Sequence, residues 1–144
     1  MTTVSHQRAH WIFADTSGYY AAVAENDDNH AAALAILSRL ERQRSRLFTT
    51  QYVLAELHAL IITRRRDPQL ALAVLTHIEA GSATVIPVAA DDHRRARALL
   101  ARHQDKLYSL TDALSFVVIE RLGIANALTF DRNFSQYGLM VLAP

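Results

Sequence analysis

The sequence predicts an α/β fold in which a five-stranded parallel sheet is covered by helices on both faces. Short apolar segments of strand length alternate along the chain with helical segments of ten or more residues, the arrangement that βαβ units require. The first short segment, 11–14, contains no polar residue, so we expect a strand that is buried on both faces. Because no linker or repeat divides the chain, we expect one domain over 11–144, preceded by a flexible tail over 1–10.

The next four elements follow from local spacing. Residues 16–24 carry the small and aromatic side chains of a helix, and 30–42 repeats apolar residues at helical spacing after an Asp-Asp-Asn cap. A short second strand is expected at 46–49. The segment 51–66 has one apolar stripe and ends in three arginines, which the helix dipole favours at a C-terminus.

The middle of the chain supplies another helix, a strand and a further helix. Asp67 and the proline after it begin a helix, which Gly81 ends. The third strand, 84–88, contains Pro87, which cannot donate a hydrogen bond to a neighbouring strand. We therefore place this strand at an edge of the sheet. A helix over 91–103 follows.

The last part of the chain completes the predicted sheet. The helix expected over 110–122 is apolar nearly all round at its centre, which is typical of a buried helix, and Gly123 is well placed to end it. A fourth strand is expected at 125–130 and a fifth at 139–142.

Composition excludes several classes of function. The absence of cysteine excludes a thiolate metal site, a redox pair and a cysteine nucleophile, and it fits a reducing compartment, so we expect a cytoplasmic protein. The chain has neither an apolar run of about 18 residues nor an apolar segment in its first ten residues, so we expect no membrane span and no signal peptide. A net charge of +1 gives no strong overall attraction to nucleic acid.

Four acidic residues each have an ordinary structural interpretation. Asp15 is well placed to cap a helix. Glu56 lies at the margin of an apolar helical face, from which its side chain can reach water. Asp112 completes a capping-box pattern with Ser109, and Asp131 is a suitable first residue of a turn.

Taken together, the same four residues predict a metal site. Asp15 and Asp131 end two strands that we place side by side at the centre of the sheet, and the other two lie on helices beside that edge, where parallel sheets bind ligands. Carboxylates that are close together repel one another unless a cation lies between them. Oxygen ligands without His or Cys suit Mg²⁺ or Mn²⁺, and such an ion can orient a phosphate and lower the pKa of a bound water.

Four short motifs, in order, resemble those of PIN-domain ribonucleases, and most closely those of the VapC-type toxins of bacterial toxin–antitoxin pairs. The motifs are Phe-Ala-Asp-Thr-Ser at 13–17, the helix of Glu56 after two threonines, Ser-Leu-Thr-Asp-Ala at 109–113 and Thr-Phe-Asp-Arg-Asn-Phe at 129–134. The resemblance extends over nearly the whole chain from Trp11. It implies a three-layer α/β/α fold, metal-dependent cleavage of RNA, a homodimer, and inhibition by an antitoxin peptide that lies over the site.

The resemblance also implies roles for individual residues. The catalytic quartet corresponds to Asp15, Glu56, Asp112 and Asp131. We hypothesise that the three aspartates bind the metal, that Glu56 helps to hold it or orients the attacking water, and that Thr16 or Ser17 supplies a supporting hydroxyl. Some relatives carry a further acidic residue one helical turn after the third motif, where this chain has Phe116. Whether one metal or two bind therefore stays open.

Arginines are the candidates for contact with RNA. They form three local clusters, at 42–46, 64–66 and 94–97, and a solvated face is the more common explanation of any one such cluster. The candidates for phosphate contacts are Arg64, Arg65, Arg94 and Arg132. The apolar helices around 31–40 and 70–75 fit contact with a second subunit or an antitoxin helix, or burial in the core.

Other functions remain to be weighed against this one. The sequence Asp-Thr-Ser-Gly at 15–18 faintly resembles an aspartic-protease motif, but the predicted helices contradict that all-β class. A receiver domain needs a lysine near its last strands, and the only lysine is Lys106. The serious alternatives are a PIN-domain nuclease of RNA processing and a catalytically silent PIN-like module that binds RNA or protein. No organic cofactor is expected, and neither the RNA target nor the antitoxin follows from the sequence.

Overall fold

The computed structural model describes residues 8–144, so the first seven residues of the expected tail lie outside the described residues. Its sheet consists of β1 (Trp11–Ala14), β2 (Arg46–Thr50), β3 (Thr84–Ile86), β4 (Asn126–Leu128) and β5 (Met140–Val141). Every pairing is parallel, and the spatial order is β3-β2-β1-β4-β5. The predicted fold class is therefore confirmed.

Seven helices of the described residues flank this sheet. They are α1 (Thr16–Val23), α2 (His30–Arg42), α3 (Gln51–Arg65), α4 (Pro68–His77), α5 (Ala90–Arg102), α6 (Leu110–Leu122) and α7 (Arg132–Tyr137). A short π-helical turn, Ile78–Ser82, extends α4. The ends of α1, α2, α3, α5 and α6 lie within one residue of the predicted ones because caps and C-terminal glycines act locally. The helix predicted to run to Gly81 ends at His77 before the π-helical turn, and α7 was not predicted, since only a turn was expected at Asp131. None of the described helices has both the length and the apolar character needed to span a membrane.

The strand order determines where a ligand can bind. The chain passes from β1 through β2 to β3 on one side of the sheet, and from β4 to β5 on the other. Because such crossovers are right-handed, the helices between β1 and β3 cover one face and those after β3 cover the opposite face. The two directions diverge between β1 and β4, and the carboxyl ends of these two strands form the switch point at which open α/β sheets bind ligands.

Burial agrees with the predicted core. β1 is central, and its residues Ile12, Phe13 and Ala14 are at most 2% exposed, as expected of a strand covered on both faces. The centre of α6, from Asp112 to Ile119, is buried on every side. These two elements form the centre of the core; β1 is followed directly by Asp15, and α6 carries Asp112 in its first turn.

Three strands are shorter than the sequence predicts, and β5, expected at 139–142, comprises only Met140–Val141. β3 ends at Ile86 because Pro87 has no N–H to donate, and it lies at the sheet edge as expected. β4 ends at Leu128, not at residue 130, because the chain leaves the ladder at Thr129, whose hydroxyl bonds to a side chain at the end of β1. The prediction that residues 129 and 130 belong to β4 was wrong, because the chain leaves the sheet there and Thr129 joins a network of polar side chains.

Gly18 lets α1 approach the end of β4. A Cβ built on this glycine would lie 2.5 Å from the carbonyl oxygen of Leu128 and 2.8 Å from the Cγ of the same residue. The same carbonyl accepts a hydrogen bond of 3.1 Å from the backbone N–H of Asp15. The close approach of helix and strand therefore requires glycine at position 18.

We predict that Gly18→Ala lowers the free energy of unfolding by about 1–3 kcal/mol, because backbone atoms have to move to admit the new methyl group. Urea unfolding followed by circular dichroism measures the change. Ala22→Ser is the matched control, since it also adds one heavy atom to α1 but at a position that lines a cavity. Equal stability of the Gly18→Ala variant and the wild type would contradict the packing described above.

Candidate active site

The site lies at the carboxyl ends of the two central strands. Asp15 is the first residue after β1 and is only 3% exposed. Asp131 lies three residues after β4 and directly before α7. These two aspartates flank the switch point of the sheet, as the sequence predicts.

A network of hydroxyl groups joins the two strand ends. The Oδ2 atom of Asp15 accepts hydrogen bonds from Thr129 Oγ1 at 3.0 Å and from Ser17 Oγ at 3.1 Å. Thr129 Oγ1 in turn accepts from the N–H of Asp131 at 3.0 Å, and Ser17 Oγ accepts from the N–H of Phe130 at 2.9 Å. The network fixes one oxygen of the Asp15 carboxylate and sets the path of the chain into α7.

Asp112 and Asp131 are held by caps and by Asn133. Ser109 and Asp112 form the predicted capping box, with both hydrogen bonds at 3.0 Å. Asn133 Nδ2 donates to Asp112 Oδ2 at 3.0 Å, and the N–H of Asn133 donates to Asp131 Oδ1 at 2.9 Å. The cap and turn interpretations of these two aspartates are therefore correct. Asp15, by contrast, occupies the N-cap position of α1 without a capping hydrogen bond from its side chain.

Each aspartate keeps one oxygen free for another role. Within the described chain, no side-chain donor reaches Asp15 Oδ1, and no hydrogen bond reaches Asp112 Oδ1 or Asp131 Oδ2. The structural bonds use only the second oxygen of each carboxylate. Capping and ligand binding by the same residues are therefore compatible.

Glu56 reaches the same region from α3. It is exposed, and it lines a cleft of about 550 Å³ together with Asp15 and Asp131. One face of α3 forms a wall of this cleft, through Glu56, Ala59, Leu60, Thr63 and Arg64. Asp112 is not among the described residues that line the cleft; its connection to the others runs through Asn133 and through its charge.

The site concentrates negative charge without a basic partner. The pKa of Asp15 is raised to about 7, chiefly by burial and in smaller part by the charge of Asp112. Burial also raises the pKa of Asp112, and repulsion from Asp131 adds to that effect. In the described chain none of the four acidic residues forms an ion pair with Arg, Lys or His. A cation from outside the chain would relieve this repulsion.

The side chains fit a divalent cation in their chemistry. Over residues 8–144, no three His, Asp or Glu side chains are already gathered closely enough to enclose an ion. The three aspartates nevertheless offer free oxygens at one sheet edge, and oxygen is the ligand that Mg²⁺ and Mn²⁺ prefer. Among the described residues, the buried hydroxyl of Thr16 has no hydrogen-bond partner, and it lines the same cleft. Such an orphaned polar atom beside Asp15 is typical of a site that accepts a ligand.

The sequence missed the roles of Thr129 and Asn133. Both belong to the motif at 129–134, but neither has an unusual local spacing. Thr129 connects Asp15 to Asp131, and Asn133 connects Asp131 to Asp112. Ser17, one of the two predicted hydroxyls, belongs to this network, whereas Thr16 does not. The only signal in the sequence is a polar residue two positions before Asp131 and another two positions after it.

The four candidate arginines occupy different surroundings. Arg64 lines the cleft. Arg65 donates to Asn26 Oδ1 at 2.8 Å, and Arg94 pairs with Asp91 at 2.8 Å. Arg132 is an exposed residue at the start of α7. Of the four, only Arg64 is among the described residues that line the cleft.

The aromatic surroundings of position 116 explain why it holds phenylalanine and not an acidic residue. Its ring stacks on Tyr137 at 4.2 Å between centroids and meets Phe134 and Tyr108 edge-on at 5.0 and 5.2 Å. It is completely buried. A carboxylate at this position would be desolvated among aromatic rings, so the chain has no room there for a further acidic ligand.

We predict that the stability of the chelator-treated protein falls as pH rises from about 4 to about 7. In this range the folded Asp15, with its raised pKa, binds a proton that the unfolded chain has released, so rising pH removes stability. Asp15→Asn should flatten this slope and raise the free energy of unfolding at pH 8 by roughly 2–4 kcal/mol. Urea titrations at several pH values measure the effect.

Asp105→Asn is the control for this prediction, because the Asp105 side chain is 72% exposed. The same change of Asp to Asn at this exposed position should leave the slope of stability against pH as it is in the wild type. If Asp15→Asn retained the slope of the wild type, the burial of an uncompensated carboxylate at position 15 would be contradicted.

Comparison with known proteins agrees with this geometry. The family model described as "PIN domain" matches residues 12–139. The 23S rRNA-specific endonuclease VapC20 of Mycobacterium tuberculosis is 32% identical over 133 residues, which cover 92% of this chain and 98% of that protein. Ribonuclease VapC26 of the same organism is 28% identical over 84% of this chain and 87% of its own length.

Solved structures give the same result. The crystal structure of VapC20, described as a sarcin–ricin loop cleaving toxin, superposes with a TM-score of 0.82 at 34% identity, over 92% of this chain and 99% of the other. A chain of VapBC2 from Rickettsia felis, crystallised with a promoter DNA fragment, gives 0.67 at 15% identity over 92% of this chain and 97% of the other, which shows the fold alone. The chain therefore belongs to the PIN domain family, as a ribonuclease of the VapC toxin type.

Proposed function

We propose that residues 11–144 form an endoribonuclease domain that depends on Mg²⁺ or Mn²⁺ and uses Asp15, Glu56, Asp112 and Asp131 as its catalytic residues. The observation that carries the proposal is the gathering of these carboxylates around one sheet edge, with raised pKa values for Asp15 and Asp112 and no basic partner in the described chain. Nuclease activity is the activity of the family; the identity of the metal and the roles below are our proposal.

Asp15, Asp112 and Asp131 would hold the cation through the oxygens that their structural hydrogen bonds leave free. Such a cation supplies positive charge for the phosphate and lowers the pKa of a bound water. Glu56 faces the cleft from α3 and would orient the attacking water and accept its proton. The Thr16 hydroxyl and the first N–H groups of α1 would donate to a phosphate oxygen. Ser17 and Thr129 keep Asp15 in place.

The relatives guide the choice of substrate and partners. Because VapC20 is named for the cleavage of 23S rRNA and of the sarcin–ricin loop, large-subunit ribosomal RNA is the first substrate to test. We propose that the protein acts in the cytoplasm as a homodimer and is inhibited by an antitoxin bound over the cleft. The dimer and the antitoxin are properties that the family resemblance implies.

We predict that the purified protein cleaves RNA only with Mg²⁺ or Mn²⁺. Glu56→Gln, which removes the proposed base, and Asp15→Asn or Asp112→Asn, which remove proposed metal ligands, should each lower the rate about 100-fold or more. Total RNA, intact ribosomes and isolated 23S rRNA are incubated with and without metal, and the cut ends are mapped by primer extension.

Glu79→Gln is the matched control, because Glu79 is an exposed carboxylate on the turn after α4, outside the cleft lining. Cleavage that persists in EDTA, or that survives both Asp15→Asn and Asp112→Asn, would refute the proposal. RNA binding without cleavage would identify a silent PIN-like module. Cleavage without growth arrest on expression would identify a processing nuclease, not a toxin.

We also predict that Mn²⁺ stabilises the protein, because a ligand that binds only the folded state raises its free energy of unfolding, by about 2.7 kcal/mol at 100 times the dissociation constant. Asp15→Asn should lose most of this gain. Thermal melting with and without millimolar Mn²⁺, with Ca²⁺ as a comparison ion, measures it. A melting temperature that does not respond to Mn²⁺ would contradict the assignment of the aspartates as ligands.

A further inference from the structure

The cleft contains one positively charged side chain among several negative ones. The acidic residues that line it are Asp15, Asp27, Glu56 and Asp131. Arg64 is the only basic residue among the described residues that line the cleft. None of the four carboxylates pairs with it within the described chain. This arginine is therefore not used to neutralise the acidic wall.

Arg64 is held instead by an aromatic ring. Its guanidinium carbon lies 5.3 Å from the centroid of Tyr20, which is a buried residue of α1 that also lines the cleft. A cation placed over an aromatic face gains attraction without using its N–H donors. Over residues 8–144, no hydrogen bond or ion pair engages those donors. The guanidinium is thus positioned and still able to bind an anion.

The neighbouring arginine shows the contrast. Arg65 donates through Nη1 to Asn26 Oδ1 at 2.8 Å and is half-buried, so it fastens the end of α3 to the loop between α1 and α2. Arg64 is exposed. In the sequence the two arginines are adjacent and cannot be told apart. In the structure, Arg65 connects α3 to a loop, whereas Arg64 lines the cleft.

The position of Arg64 relative to Glu56 indicates which anion it meets. The two residues are eight positions apart on α3, which corresponds to about 12 Å along the helix axis and about 80° around it, and both line the cleft. Because the two side chains leave α3 more than two turns apart, Arg64 is placed for a different phosphate of a strand whose cleaved phosphate lies beside Glu56.

We propose that Arg64, held over the ring of Tyr20, is a phosphate-binding residue that fixes the RNA strand beside the cleavage site by its planar fork of N–H donors. This inference rests on the proposed ribonuclease function and adds to it the direction in which the RNA lies, along the face of α3 from Glu56 to Arg64. Guanidinium suits this role better than ammonium, because its donors match two phosphate oxygens while its face stays on the ring.

The test is the salt dependence of RNA binding in EDTA, so that neither metal nor cleavage contributes. The full-length protein and its Arg64→Gln, Arg64→Lys and Arg65→Gln variants are titrated into a fluorescein-labelled single-stranded RNA, and anisotropy is followed from about 50 to 200 mM NaCl. Arg64→Gln should bind more weakly, with the slope of log K against log salt reduced by about 0.7, the value for one lost contact to a single strand. Arg65→Gln should keep the slope of the wild type.

A purely structural role of Arg64 gives a different result. In that case Arg64→Gln lowers the melting temperature but leaves the salt slope unchanged, and the proposal is overturned. An equal loss of slope in Arg65→Gln also overturns it, because the contact would then be a general effect of charge. If Arg64→Gln fails to fold, Arg64→Lys decides: it should keep the slope and lose affinity, and unchanged affinity would contradict the role of the planar fork.

A kinetic comparison separates this inference from the proposed function. With Mn²⁺ present, Arg64→Gln should raise KM while kcat stays close to that of the wild type, as expected of a group that binds substrate away from the reacting atoms. If the wild type cleaves RNA and Arg64→Gln does so with the same KM, this inference fails and the ribonuclease stands. If the wild type neither binds nor cleaves RNA, the proposed function fails, and this inference fails with it.

Discussion

The burial of the Asp15 carboxylate at the end of the central strand is the constraint on which the rest of the site depends. Removing a charged group from water is costly unless hydrogen bonds or an opposite charge compensate it. Here two hydroxyl groups bind one of its oxygens, but no basic side chain of the described chain pairs with it. The negative charge of Asp15 is therefore incompletely compensated, and its pKa is raised as a result.

The surrounding structure is arranged so that this group can exist. Gly18 admits the backbone of β4 close to α1, which brings Thr129 within hydrogen-bond distance of Asp15. Asn133 donates hydrogen bonds to both Asp131 and Asp112 and so connects these two side chains. The same few residues therefore serve packing, helix capping and the proposed metal site. In each of the three aspartates, structural hydrogen bonds from side chains or caps use one carboxylate oxygen and leave the other available. A structural explanation of an aspartate at a helix start does not compete with a functional one.

Much of the fold was predictable because its signals are local. The apolar segment of β1, the capping box of α6 and Gly123 after it act within a few residues, and Pro87 marks an edge strand by itself. The early end of β4 and the roles of Thr129 and Asn133 were not predictable, because they depend on how closely two distant segments approach. Likewise, Arg64 and Arg65 have the same local sequence environment and differ only in what lies opposite them. The placement of Asp112 outside the cleft lining is a further tertiary detail that helical periodicity does not contain.

We propose that three aspartates from separate parts of the chain bind one divalent cation in this fold. Anomalous diffraction from crystals soaked in Mn²⁺, recorded near the manganese absorption edge, can locate that cation. We expect one dominant peak within coordination distance of a carboxylate oxygen of each of Asp15, Asp112 and Asp131, absent from crystals of Asp15→Asn. A fully soaked crystal without a peak at this sheet edge, or with its strongest peak at other residues, would show that these aspartates do not share a metal ion.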